Sequence, residues 1–165
     1  MKEILLNYTE YNVWANRLMA DVLSTLTEEQ ATKELGGSFS SIRKTAEHVW
    51  LAESLWMQRL LMAEHVIFPS ENFSGDLKEV CGQWLKCSEE LHLFTQKIKD
   101  ERGLEHQFHY TNIKGVFQKS KVWECLHHVC NHSTLHRGQL ISYLRQVGMT
   151  KIPATDFIAF CRGKK

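Results

Sequence analysis

Three histidines at four-residue spacing, His128, His132 and His136, run through His128-Val129-Cys130-Asn131-His132-Ser133-Thr134-Leu135-His136-Arg137-Gly138-Gln139. On a helix, residues four apart share a face with Cβ atoms about 5–6 Å apart, so two imidazoles can converge on one metal ion. Two ligands are too few. Protein sites for a borderline metal use three or four, and a catalytic site keeps one position for water or substrate. Position alone nominates His48, in the apolar helical segment Thr45-Ala46-Glu47-His48-Val49-Trp50-Leu51-Ala52, as the third. His65 and His92 lie near polar residues, and His106 and His109 fall in a predicted hairpin. A helix drifts by about 40° for each four-residue step, so His128, His132 and His136 cannot all address one ion equally. His132 and His136 are favoured, His128 is left a supporting role in the pocket, and His127 falls on another face. A histidine on an apolar face is, singly, more often a hydrogen-bonded core residue than a ligand. The pattern alone therefore leaves both readings open.

Other chemistries find less support. In a zincin, glutamate follows the first histidine of His-x-x-x-His, and Ser133 stands there instead, so the general base is missing. The chain has no Walker loop, dinucleotide glycine pattern or Gly-x-Ser-x-Gly elbow. Cys130 reads as a buried structural thiol rather than a nucleophile. Arg137 and Gln139 flank the second histidine, either as a solvated charge and a helix polar group or as groups that bind an anion or orient a ligand.

These residues need helices to place them. Apolar residues at three- and four-residue intervals predict a first helix from Lys2 to about Leu26 and a second from about Ser41 to Ala63, capped by Ser40. Between them, Gly36-Gly37 breaks the chain, and Thr27-Glu28-Glu29-Gln30 has the form of a capping box for a short turn. The segment from Glu64 to Gly75 is loop, and a third helix runs from Leu77 to Ile98. Alternation in His106, Phe108 and Tyr110 before Asn112-Ile113-Lys114-Gly115 predicts a two-stranded hairpin between Gly103 and Lys119. Ser120 is placed to cap a fourth helix that stops at Gly148, and Asp156 to cap a final turn through Phe160. Gly138 inside the fourth helix, costing about 1 kcal/mol against alanine, suggests a close neighbouring backbone or a cavity wall. The expected fold is all-α, a four-helix bundle with a short hairpin or extended insertion before the last long helix. Trp14, Trp50, Trp56, Trp84 and Trp123 are expected mainly in its core, with one or two lining a pocket.

The whole chain adds bounds. Its 165 residues suit one domain over 1–165, with a core large enough to need no disulfide. Twenty basic against nineteen acidic residues leave a net charge of +1, which argues against a nucleic-acid partner. The five cysteines form no Cys-x-x-Cys pair and read as core thiols of a reducing compartment. No apolar run approaches the ~18 residues of a membrane span, and the amino terminus lacks the pattern of a secretory signal. A cytoplasmic protein is expected.

The stretch from His128 to Gln139, followed by Leu144-Arg145-Gln146-Val147-Gly148, resembles the last-helix signature of the DinB/YfiT-like family of bacterial proteins. Tyr11-Asn12-Val13-Trp14-Ala15-Asn16, Ser41-Ile42 through Ala46-Glu47-His48-Val49, and Pro153-Ala154-Thr155-Asp156-Phe157 match it in the same order, so the similarity spans nearly the whole chain. The resemblance implies a four-helix bundle, often homodimeric, with a divalent metal on three histidines and water in the open positions. By motif the ligands are His48, His132 and His136. Zinc or nickel is expected first, iron or manganese after them. Relatives use the metal in thiol chemistry, so the function it implies is transfer of a low-molecular-weight thiol to an electrophilic small-molecule substrate, with His128, Arg137 and Gln139 in support. The alternatives are a metal-dependent hydrolase and a non-enzymatic metal-binding stress-response protein.

Overall fold

Four segments repeat apolar residues at helical intervals, and each is a long helix in the computed structural model, which describes residues 1–163. In chain order the elements are α1 (Lys2–Leu23), α2 (Glu28–Thr32), α3 (Ile42–Leu60), α4 (Leu77–Lys97), α5 (Glu101–Glu105), β1 (Gln107–Thr111), β2 (Phe117–Lys121), α6 (Val122–Gln146) and α7 (Phe157–Gly163). The fold is mostly helical but not strictly all-α, because β1 and β2 pair antiparallel, with Phe108 opposite Ser120. Asn112 Oδ1 accepts from the backbone N–H groups of Lys114 and Val116 in the connecting turn, and Gly115 takes the left-handed φ of +75° that the turn requires. None of the described helices is long and apolar enough to cross a membrane.

Local chemistry explains the boundaries, including those that differ from expectation. Ser41, not Ser40, caps α3, its hydroxyl accepting from Lys44 N–H at 3.2 Å. Ser120 caps nothing. It belongs to β2, and α6 begins after Lys121, whose N–H is held by Glu124 Oε2 at 2.8 Å. The short turn after Thr27 is a full helical turn closed by the reciprocal Thr27–Gln30 box. The first helix ends at Leu23 rather than Leu26 and the second at Leu60 rather than Ala63. The turn after α3 brings Met62 to a φ of +54°. Gly138 has no neighbour near the position of a Cβ, so no close backbone accounts for it; it forms part of a cavity wall instead.

The long helices touch in a closed cycle, α1 with α4, α4 with α3, α3 with α6, and α6 with α1. Their apolar faces form two main clusters. One contains Met19, Leu23, Ile42, Val49, Trp84 and Leu144; the other contains Leu5, Leu60, Leu91, Leu126 and Val129. Each helix contributes to both, which sets its direction. The end of α1 lies with the starts of α3 and α4 and the end of α6, so α3 and α4 run parallel and residues 61–76 must cross back along the molecule. Between the clusters every long helix buries polar side chains: Asn12 and Asn16 on α1, Glu53 on α3, Ser88 on α4, Ser133 and Arg137 on α6.

Candidate metal centre

His132 and His136 are brought together by one helical turn of α6, and the α3–α6 packing carries His48 to them. His132 Nε2 lies 3.1 Å from His48 Nε2 and 3.0 Å from His136 Nε2. One proton cannot serve both contacts well, since a hydrogen bond wants a near-linear donor. A cation satisfies all three lone pairs. Imidazole nitrogens at 2.0–2.1 Å around one tetrahedral ion would lie roughly 3.3 Å apart, so the cluster fits a metal with little adjustment. Protonation states agree. Gln139 Oε1 sits 2.7 Å from His136 Nδ1, where an acceptor oxygen calls for N–H and leaves Nε2 as the lone-pair atom. Burial, then the charge of His136, pushes His48 down to about 4. Burial, then His136, His48 and His128, pushes His132 down to about 3. Both are neutral near pH 7, the form a metal binds.

Two features of this site carry no periodic signal in sequence. Phe39, in the loop before α3, stacks on His48 with ring centroids 4.0 Å apart and meets His136 edge-on at 5.6 Å. The loop is held by Tyr143 of α6, whose single hydroxyl proton is shared between the carbonyls of Gly36, 2.5 Å away, and Phe39, 2.7 Å away. Beneath the histidines, Glu53 is fully buried and its Oε1 accepts from Asn12 and Asn16 at 2.9 Å each and from Ser133 at 2.7 Å; its Oε2 accepts from Ser88 at 2.5 Å. Ser133, adjacent to His132, thereby ties the histidine-bearing helix to α3.

The remaining residues singled out in sequence separate. His128 stands apart from the three converging nitrogens, its ring 5.2 Å from that of Trp56 and 5.9 Å from that of His132. Arg137 is neither a solvated charge nor a group facing the histidines' cavity. It is 1% exposed and donates to Asn12, Asn16, Tyr11 and Thr134 at 2.6–3.2 Å. Gln139 orients His136. Cys130 is fully buried, and burial raises its thiol pKa far above the ordinary value. All five cysteines are free.

His48 and His132 open onto a cavity of about 700 Å³ between α3, the crossover 61–76 and the hairpin, walled chiefly by Leu51, Leu55, Trp56, Phe68 and Tyr110. That volume suits a small organic ligand. His136, 5% exposed, sits behind them. A second cavity of about 630 Å³, on the far side of α6 beside Tyr8, Gly138 and Phe157, contains none of the three histidines. Of the tryptophans, Trp50 and Trp84 are core, and Trp56 lines the site.

The model of the DinB family matches residues 1–163. The curated protein named Protein DinB of Bacillus subtilis (strain 168) is 31% identical over 166 residues, which cover 95% of this chain and 93% of the relative. A DinB-like protein from Bacillus cereus ATCC 10987, solved by crystallography, has a TM-score of 0.68 at 16% identity, over 89% of this chain and 94% of its own. A second DinB-like crystal structure, from Bacillus subtilis, gives 0.67 at 13% identity, over 90% and 97%. At these identities the two structures speak for the fold alone.

Proposed function

We propose, from the premise that this chain belongs to the DinB family, that it holds a divalent metal on Nε2 of His48, His132 and His136 and transfers a low-molecular-weight thiol to an electrophilic substrate. The observation that carries the reading is the convergence of three imidazole nitrogens beside an organic-sized cavity. The four long helices are read as the four-helix bundle of that family. A divalent ion, zinc or nickel before iron or manganese, supplies Lewis acidity that favours the anionic form of a thiol or a water. The chain's own residues do the rest. Gln139 fixes the ring of His136 through its Nδ1, Phe39 covers one face of His48, and Leu51, Leu55 and Trp56 keep the cavity wall apolar. Water exclusion at such a wall strengthens electrostatic interactions at the reacting atoms.

The proposal extends to one domain over 1–165, a homodimer, a cytoplasmic location and a small-molecule partner rather than nucleic acid or membrane. The net charge of +1 supports the last point, and light scattering after gel filtration checks the dimer. The central test loads the protein with zinc or nickel and follows conjugation of glutathione, cysteine or another small thiol to chlorodinitrobenzene. Turnover that disappears in His132→Ala, together with the bound metal, is expected. Dinitrophenol and chloride released without thiol would point to hydrolysis, and stoichiometric metal with no turnover across several thiols would leave a metal-binding protein without this activity.

A further inference from the structure

Arg59, on the last turn of α3, is 9% exposed and borders the cavity of His48 and His132. Its guanidinium carbon lies 4.8 Å from the ring centre of Trp56 and 4.9 Å from that of Tyr110, so both rings pack against it. Its Nε is buried with no hydrogen-bond partner, and no carboxylate comes within ion-pair distance among the described residues. Arg137, the other buried arginine, has a set of oxygen partners around it. A guanidinium whose Nε is buried without an oxygen partner carries a cost that a ligand oxygen would relieve. Burial accordingly lowers the Arg59 pKa from its ordinary value. The one acidic side chain lining this cavity, Glu71, is exposed and not paired with it.

We propose that Arg59 is the anion anchor of this cavity and that its ligand is a largely apolar molecule bearing one carboxylate. A planar guanidinium packed against two rings that meet edge to face offers the fork that binds a carboxylate bidentately. The aliphatic and aromatic walls suit the apolar body. In the metal-free cavity a single cation balances a single negative charge, whereas a phosphate dianion would bring an uncompensated charge into a largely apolar space. This specificity rests on the reading of the cavity as the substrate site, but it does not require turnover or metal.

The test measures, by calorimetry, binding of 4-phenylbutyrate and 4-phenylbutanol to the full chain, both zinc-loaded and metal-free. The carboxylate is expected to bind roughly tenfold or more tightly than the alcohol in both forms, as hydrogen bonds to a charged partner imply. Arg59→Met should abolish the preference and Arg59→Lys should keep part of it, while a role confined to bracing Trp56 and Tyr110 would lower stability without changing the ratio. Equal affinities in the wild type, or a preference unchanged in Arg59→Met, would overturn the proposal. So would a preference seen only with zinc present, which would assign the carboxylate to the metal, or tighter binding of 4-phenylbutyl phosphate. Loss of metal binding or thiol transfer with the metal-free preference intact would count against the proposed function and leave the anchor standing.

Discussion

His136 and His48 are each oriented by a neighbour of a different kind, an amide oxygen on Nδ1 for the first and an aromatic face for the second. His132 stands between them, so truncating it removes the atom common to both close contacts. His132→Ala is expected to reduce bound metal from near one equivalent to near none by elemental analysis, and Gln139→Ala to weaken metal affinity by about 10–100-fold, the usual effect of losing an orienting partner. In the metal-free protein the unfolded chain takes up protons near pH 6.5, while folded His48 and His132 resist them until about 4 and 3. Their contribution to stability is therefore complete above about pH 6.5 and is lost as pH falls through those lower values. Urea midpoints of EDTA-treated protein should drop between pH 7 and 4, and less steeply for His132→Gln; parallel profiles would show that the rings are not buried in neutral form. Thiol chemistry gives a further check. Burial pushes Cys81 and Cys125 up to about 12, and both are buried, so in native protein at pH 8 a disulfide reagent should reach these two only after unfolding.

At the scale of elements, the loop before α3 matters as much as the helices. Gly37 has a φ of +85°, and a Cβ there would run into the hydroxyl of Tyr143. In sequence Gly36-Gly37 is only a break; the structure makes it the passage through which Tyr143 reaches two carbonyls and sets Phe39 against His48. Tyr143→Phe, leaving two acceptors without their donor, should lower unfolding free energy by about 1–2 kcal/mol and weaken metal binding. Gly37→Ala adds left-handed strain of about 1–2 kcal/mol to the collision and should be the more damaging of the two by denaturant titration. If both leave metal affinity unchanged, Phe39 does not support His48.

Across the whole molecule, a polar layer separates two apolar clusters at the middle of all four long helices. Asn12 and Asn16 lie between Glu53 and Arg137, each donating to the acid and accepting from the base. Removing either end leaves the other buried without its counterpart. Glu53→Gln and Arg137→Met should each destabilise by about 3–5 kcal/mol, and the double variant by clearly less than their sum, a coupling that a double-mutant cycle measures. Additive losses would mean that the two amides insulate the charges rather than connect them. The layer also lies level with the histidines through Ser133, so the same variants should loosen the metal centre.

Helical periodicity, the four-residue histidine step, the Thr27–Gln30 box and the glycine stop at Gly148 were legible because each depends on residues within a few positions of one another, where backbone geometry alone sets the relation. His48 could be nominated from its apolar helical setting, and only the α3–α6 packing put its Nε2 3.1 Å from that of His132. The shift of the cap from Ser40 to Ser41 and the capture of Ser120 by β2 turned on competition between neighbouring segments, which no local pattern weighs. Arg137 and Arg59 look alike in sequence, and the structure buries one among oxygen acceptors and packs the other against two rings beside a cavity. The helices and the type of ligand were thus determined by the sequence through short-range geometry. Which polar groups face each other, and which are left facing a cavity, was decided only by tertiary packing, because those contacts join residues dozens of positions apart whose pairing has no period to read.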